Sequence, residues 1–242
     1  MFALSHFVVP PEESIKSQIL QLVVDNLTDI SALGLPPSNP LYSLYQYAIG
    51  FEVHRYLEAM GGSGDLQVEL LVATDQQNPQ NVSGFLLYLP VQDDSQACSV
   101  AYLAVHSQQR RRGVARALLA AMTERYPHAE LACAPGKVDC FEAMGFTVIA
   151  ARGPQVLMNT RDHSSAGEVA MLDTAPIYRT LEVQQIHSYL LKQHGKRAMV
   201  DAEKQRDRHL DQLQRKAQAV VQERLSELAW QQRGTAVRLF TA

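Results

Sequence analysis

The sequence predicts an α/β fold, in the α+β sense of a central sheet flanked by helices, followed by a long α-helical C-terminal extension. Three observations predict it. Residues 100–122 read as strand, polar loop and helix. The first two thirds of the chain alternate short apolar runs with helix-periodic ones. After residue 160 the strand signals stop, and residues 196–233 are strong helix formers without proline and with no glycine before residue 234.

The central stretch is the most informative. An apolar run, Val100 to Val105, leads into His106-Ser107-Gln108-Gln109-Arg110-Arg111-Arg112-Gly113, and an apolar-periodic run follows from Val114 to Met122. Backbone N–H groups at a helix start lack intrahelical partners, and the helix dipole adds partial positive charge. Such a loop suits an anion, a pyrophosphate for example. Gly113 permits close backbone approach, and the small Ala115 keeps the next turn open.

The other elements follow in order. Phe2 to Val9 is an apolar run closed by Pro10-Pro11, a first strand. Pro11-Glu12-Glu13 suits a first helical turn, and Ile15, Ile19, Leu22, Val23 and Leu27 carry the helix to about Ile30. A proline-rich loop, 34–40, precedes a second helix, Leu41 to Met60, rich in tyrosine. Val68 to Thr74, Val82 to Val91 and Ala97 to Val105 are three strands, the last two joined across Gln92 to Ser95. The helix after the anion loop stops near Pro127. Ala129 to Ala134 is a strand, Lys137 to Met144 a short helix, and Phe146 to Ala151 with Gln155 to Asn159 a hairpin about Gly153-Pro154.

Three regions result: a domain over 1–160, a small polar linker over 161–175, and a helical extension over 176–242. Within the extension Pro176 to Gln193 is one helix, and Lys196 to Arg233 another, roughly 57 Å long if unbroken. A stripe of Leu210, Leu213, Ala217, Val220, Val221, Leu225 and Leu228, with Trp230 beyond it, is expected to pack on another chain or another protein, the alternative being that it folds back onto the chain's own domain. A protein partner or self-association through residues 196–242 is therefore expected.

Composition excludes several classes. The chain is 46% hydrophobic and 19% charged, which suits a packed core. No apolar run approaches the ~18 residues of a membrane span, so no membrane association is expected. Residues 161–242 hold 13 Lys/Arg and 10 Asp/Glu, a balance of +3, which leaves −6 on the remainder. Neither part is basic enough to suggest nucleic acid. Cys98, Cys133 and Cys140 follow no metal-ligand spacing, so no metal is expected and the thiols read as reduced. The start has neither a basic n-region nor a long apolar h-region, so no secretory signal is expected and the compartment read is cytoplasmic.

Arg110-x-x-Gly113-x-Ala115, with its strand before and Ala117-Leu118-Leu119 after, resembles the Arg/Gln-x-x-Gly-x-Gly/Ala loop of the GCN5-related N-acetyltransferases (GNAT). Cys140-Phe141-Glu142-Ala143-Met144-Gly145-Phe146 is similar to that family's Phe-Tyr-Glu-Lys-Leu-Gly-Phe segment. Together the resemblance covers residues 2–160. It implies an acyl-CoA N-acyltransferase-like fold with a mixed sheet, acetyl-CoA as cofactor, and direct attack of an amine acceptor of unknown identity in a ternary complex. The implied cofactor contacts are Leu103, Val105, Gln109, Arg110, Arg111, Arg112, Gly113, Val114, Ala115 and Arg116.

The resemblance fails where protons are handled. The family's acidic tyrosine is Phe141 here, its strand glutamate falls at Cys98 or Ser99, and a helix-start asparagine falls at Ala134. Substitutes are Tyr102, His106 and Glu69. These departures keep open a reading of another class: a domain of this fold without turnover, serving binding or assembly through its helical tail. Some tailed bacteriophages carry internal virion proteins resembling this fold, which makes a virion component the alternative location.

Overall fold

A computed structural model describes residues 2–62 and 64–239, with side chains described as far as residue 226. The strands are β1 (Phe2–Phe7), β2 (Glu69–Asp75), β3 (Val82–Val91), β4 (Asp94–Val105), β5 (His128–Cys133), β6 (Thr147–Arg152) and β7 (Gln155–Asn159). The helices are α1 (Glu13–Asp25), α2 (Leu27–Ile30), α3 (Tyr42–Ala59), α4 (Val114–Arg125), α5 (Val138–Glu142) and α6 (Leu181–Leu239). One seven-stranded sheet has the order β1-β2-β3-β4-β5-β7-β6. It is mixed: β4 and β5, joined through α4, run parallel, and every other neighbouring pair is antiparallel.

Alternation along the strands builds two cores. Leu71, Ala73, Leu86 and Tyr88 turn to one face and meet Leu118, Leu119 and Met122 of α4. Leu70, Val72, Phe85 and Leu87 turn to the other, against Ile19 and Leu22 of α1 and Val53 and Leu57 of α3. Strand β3 is covered on both faces, and all ten of its residues are buried.

The expected first helix is interrupted. The Asn26 amide donates to the Leu22 carbonyl at 2.7 Å, and the backbone leaves the helix at φ −111°, ψ 15°. This side chain competes for a helical carbonyl, so α1 ends at Asp25 and α2 begins anew at Leu27. The β3–β4 turn is tighter than expected. Val91 pairs with Asp94, leaving a two-residue connection and a longer β4.

Beyond Thr160 the chain stays on the domain. Gln92 N–H donates to the Glu168 carbonyl at 3.1 Å, Ser165 Oγ to Asp94 Oδ2 at 2.9 Å, and Leu172 N–H to the Tyr56 hydroxyl at 3.3 Å. Helix α6 is broken at Gly195, whose φ of 80° and ψ of 157° are not helical. Val183 and Leu190 before the break join Met199 and Ala202 after it in a third cluster with Leu35, Leu41, Leu44 and Tyr45.

The apolar stripe corrects an expectation. Ala217 is fully buried, and Val220 and Val221 pack on the α4-side core of the chain's own domain rather than on a second chain. Arg224 adds ion pairs to Asp139 at 2.8 Å and Glu142 at 3.1 Å. The edge hairpin β6–β7 and α5 offer apolar surface that periodicity alone could not identify as the covering partner. The side chains of Leu228 and Trp230 lie outside the described residues. No described helix is long and apolar enough to cross a membrane.

Candidate active site

The site begins where two parallel strands part. The β4–β5 ladder has three residue pairs, Ala97–His128 to Ser99–Glu130. Opposite it, Leu87 pairs with Tyr102 and Tyr88 with Val100, so Ala101 is the extra residue of a β-bulge. A bulge bends its strand and increases twist, which turns Val100–Val105 away from β5. The vacated edge of β4 carries backbone N–H and C=O groups that β5 does not pair.

A cavity of about 610 Å³ fills the gap, lined by Val100–Val105, the loop into α4, Leu131–Ala134 and Phe141. A second chamber of about 680 Å³ lies beyond it, reaching Tyr45, Glu52, Tyr56 and Tyr178. The two share Ile30, Ser31, Val100, Ala101, Tyr102, Leu131, Ala132 and Gln155. One cleft therefore passes through the sheet between β4 and β5.

The loop into α4 is held in an anion-receptive shape. Arg111 has φ 62° and Gly113 φ 83°, two left-handed residues close together. Gly113 precedes α4, no side chain caps that helix, and its first intrahelical bond is Ala117 N–H to the Gly113 carbonyl. The amides ahead of Ala117 are thus available to an anion. A Cβ on Gly113 would meet nothing within 4 Å, so the space in front of it is open. Behind the loop, Gly84 on β3 admits Val114. A Cβ there would lie 2.9 Å from the Ala104 carbonyl and 3.1 Å from Val114.

Of the residues expected to hold a cofactor, Leu103, Val105, Gln109, Arg110, Arg111, Gly113, Val114, Ala115 and Arg116 line the first cavity. Arg112 does not line it, and its Nη1 donates to Gln109 Oε1 at 3.3 Å. Arg110 is tied down. Its Nη2 donates to Asn26 and, at 2.9 Å, to Asp29, while Lys137 meets the other oxygen of Asp29 at 2.9 Å. This bridge joins α2, the loop and the segment after β5 at the cavity mouth. Partial burial works to raise the Asp29 carboxyl, but Lys137 and Arg110 outweigh it and hold it below the ordinary range.

The three expected proton-handling residues do not come together. Tyr102 lines both chambers. Burial, and then the nearby Glu52 carboxylate, push its hydroxyl well up, so it is protonated at neutral pH. His106 lines neither chamber, because its Nδ1 accepts from Gln108 N–H at 3.3 Å and caps a 3-10 turn over Ser107–Gln109. Glu69 is also elsewhere. It accepts from the hydroxyls of Tyr126 at 2.6 Å and Tyr88 at 2.8 Å, pairs with His6 at 2.7 Å, and lies 3.6 Å from Arg125. Burial opposes its charge, yet these partners hold it below the usual carboxylate range. Glu69 is a saturated tie among β1, β2, β3 and α4, not a base in the cleft.

Two cysteines are equally removed from chemistry. Burial raises the Cys98 thiol far above neutrality and pushes Cys133 up to about 12. Ser99 lines the second chamber, and Ala134 and Phe141 line the first.

One residue was missed by sequence reasoning. Glu52, on α3, lines the second chamber beside Tyr102. Burial pushes its carboxyl above the ordinary range, and the Tyr102 hydroxyl pulls it part of the way back. The signal was present: Tyr45, Ile49, Glu52 and Tyr56 fall on one face at helical spacing, and a carboxylate interrupts an otherwise apolar and aromatic stripe.

Residues 67–148, about a third of the chain, match the family model described as the acetyltransferase (GNAT) domain. The PaiA N-acetyltransferase of Thermoplasma acidophilum, solved with coenzyme A, superposes with a TM-score of 0.50 at 10% identity, covering 66% of this chain and 99% of that one. An acyl-CoA N-acyltransferase of Pseudomonas aeruginosa gives 0.47 at 13% identity over 66% and 100% of the two chains. A GCN5-related N-acetyltransferase of Kribbella flavida gives 0.46 at 19% identity over 65% and 96%. No curated protein sequence matches the chain. The seven-stranded sheet with its parted central strands is the acyl-CoA N-acyltransferase fold, and residues 67–148 are similar to the acetyltransferase (GNAT) domain family.

Proposed function

We propose that the protein is an acyl-CoA-dependent N-acyltransferase, with acetyl-CoA in the first cavity and an amine acceptor in the second. The carrying observation is the cleft between β4 and β5, which joins an anion-receptive loop to the half-buried Glu52 and the buried Tyr102. The residues fit the donor. The amides before Ala117 and the side chains of Arg111 and Arg116 suit a pyrophosphate, and the free edge of β4 offers alternating donors and acceptors to an extended amide-bearing arm. When bound, acetyl-CoA would supply the acyl group by breaking its C–S bond, and the CoA part would leave as the thiol.

The chain's own part is proton handling. An amine reaches the site as ammonium and must lose a proton before it can attack. Glu52, raised by burial, is suited to take that proton, directly or through one water. Tyr102, protonated and next to Glu52, can donate its hydroxyl proton toward the departing sulfur and recover one from the carboxyl, and the second proton that the nitrogen sheds on becoming an amide then passes to the freed carboxylate. This pair takes the part that Phe141 and Cys98 cannot.

Thiol release from acetyl-CoA, followed with a set of small amines, tests the reading. Glu52→Gln is expected to lower kcat by roughly 10²–10⁴-fold and leave CoA affinity unchanged. Equal turnover in wild type and Glu52→Gln would remove Glu52 from the mechanism. CoA binding without thiol release to any amine would remove the transferase.

A further inference from the structure

The second chamber draws one wall from outside the matched domain. Tyr178, on the 3-10 turn Ile177–Arg179 before α6, meets Tyr45 edge to face with ring centres 6.3 Å apart. Arg206 on α6 donates through Nη1 to the Tyr45 hydroxyl at 2.9 Å, and through Nε and Nη2 to Asp207 at 2.8 and 2.7 Å. Opposite stand Glu52, Tyr56 and Tyr102, with the last two rings 6.4 Å apart. Glu52, Tyr56, Tyr102 and Tyr178 all line the same chamber, so the four groups surround one space.

We infer that the C-terminal extension completes the acceptor site and restricts it to small, free, cationic amines, with Tyr178 and Arg206 as specificity-determining residues. This rests on the acyl-transfer reading. Tyrosine ring faces attract a cation and Glu52 neutralises it, while of the two arginines in the lining Arg206 is paired with Asp207 and Arg152 is exposed to solvent, so the lining suits an ammonium. A chamber of about 680 Å³ is in the range of small-molecule sites. Helix α6 stands on one side of it and the sheet on the other. A lysine on a folded protein would have to reach in past α6, which is fastened through Ala217 and Arg224.

The test uses the full chain with butylamine, hexylamine and tyramine as probes, and lysozyme as a folded bearer of lysines. Amine binding is measured by calorimetry in the presence of CoA, and acetyl-CoA consumption is measured separately. The alkyl and aryl amines should bind and react, and lysozyme should not. Tyr178→Ala should raise amine Kd and KM about tenfold, and Arg206→Ala, which frees the Tyr45 side chain it holds, should change both as well, each with CoA affinity unchanged; Tyr178→Phe, which keeps the ring, should restore most of the first loss. Unchanged amine Kd in both alanine variants, or lysozyme acetylated as readily as butylamine, overturns the inference. Amine binding weakened by these substitutions, without thioester consumption, sinks the transferase and leaves the chamber assignment standing. Turnover with unaltered KM does the reverse, and a wild type that binds no amine overturns both.

Discussion

Replacing Asp29 by Asn should tighten CoA binding, because Asp29 competes with the donor's phosphates for Arg110 and Lys137. Its two oxygens each lie 2.9 Å from one of these cations, at the mouth of the first cavity. The magnitude follows from exposure: Arg110 and Lys137 side chains are 44% and 46% accessible and Asp29 37%, so each pair is heavily screened. Pairs of this kind contribute about 0.2–1 kcal/mol, so releasing both contributes about 1 kcal/mol in all. That corresponds to roughly fivefold in Kd. Calorimetric titration of CoA into wild type and Asp29→Asn at low and high NaCl measures it, and the gain should shrink as salt screens the charges. Because the two cations hold the Asp29 carboxyl below its ordinary range, the competition should persist across neutral and mildly acidic pH. Equal or weaker CoA affinity in Asp29→Asn at low salt would refute the competition and make Asp29 an organiser of the cleft.

Further outcomes follow from the same geometry. The raised Glu52 carboxyl must be ionised to accept a proton, so kcat/KM should rise with pH through a midpoint above the usual ~4.3, and Glu52→Gln should abolish that limb. Gly113→Glu places a carboxylate in the open space before α4, and CoA titration should show affinity lost by about a hundredfold or more, with unchanged affinity disproving the loop's role. Ala217→Asp buries a charge beneath α6, and thermal melting should report a loss of about 3 kcal/mol, whereas an unaltered Tm would mean the helix docks elsewhere.

What could be read from the sequence was local. The loop from Val105 to Ala115 is contiguous, and its glycine and arginines stand in the order that the backbone requires, so its place at the cleft was legible. The strand and helix order was legible for the same reason, save where the Asn26 amide breaks a helix. Glu52 was not found, because its meaning depends on α3 crossing β4 some fifty residues later in the chain. Glu69 misled because alternation places a side chain on one of two faces without saying which face holds the cleft. The stripe from Leu210 to Val221 announced a covered surface, and periodicity is the same whether the cover is another chain or the chain's own hairpin.

The central claim is that one cleft brings an acyl donor from the α4 loop to the Glu52–Tyr102 pair. A crystal structure with a non-reactive acetyl-CoA analogue tests it most directly. The account predicts phosphates on the amides of residues 113–116, the pantetheine arm along the free edge of β4, and the acyl group at Val100–Tyr102, where the two chambers meet. A donor bound with its acyl end away from Tyr102, or held outside the gap between β4 and β5, would contradict it.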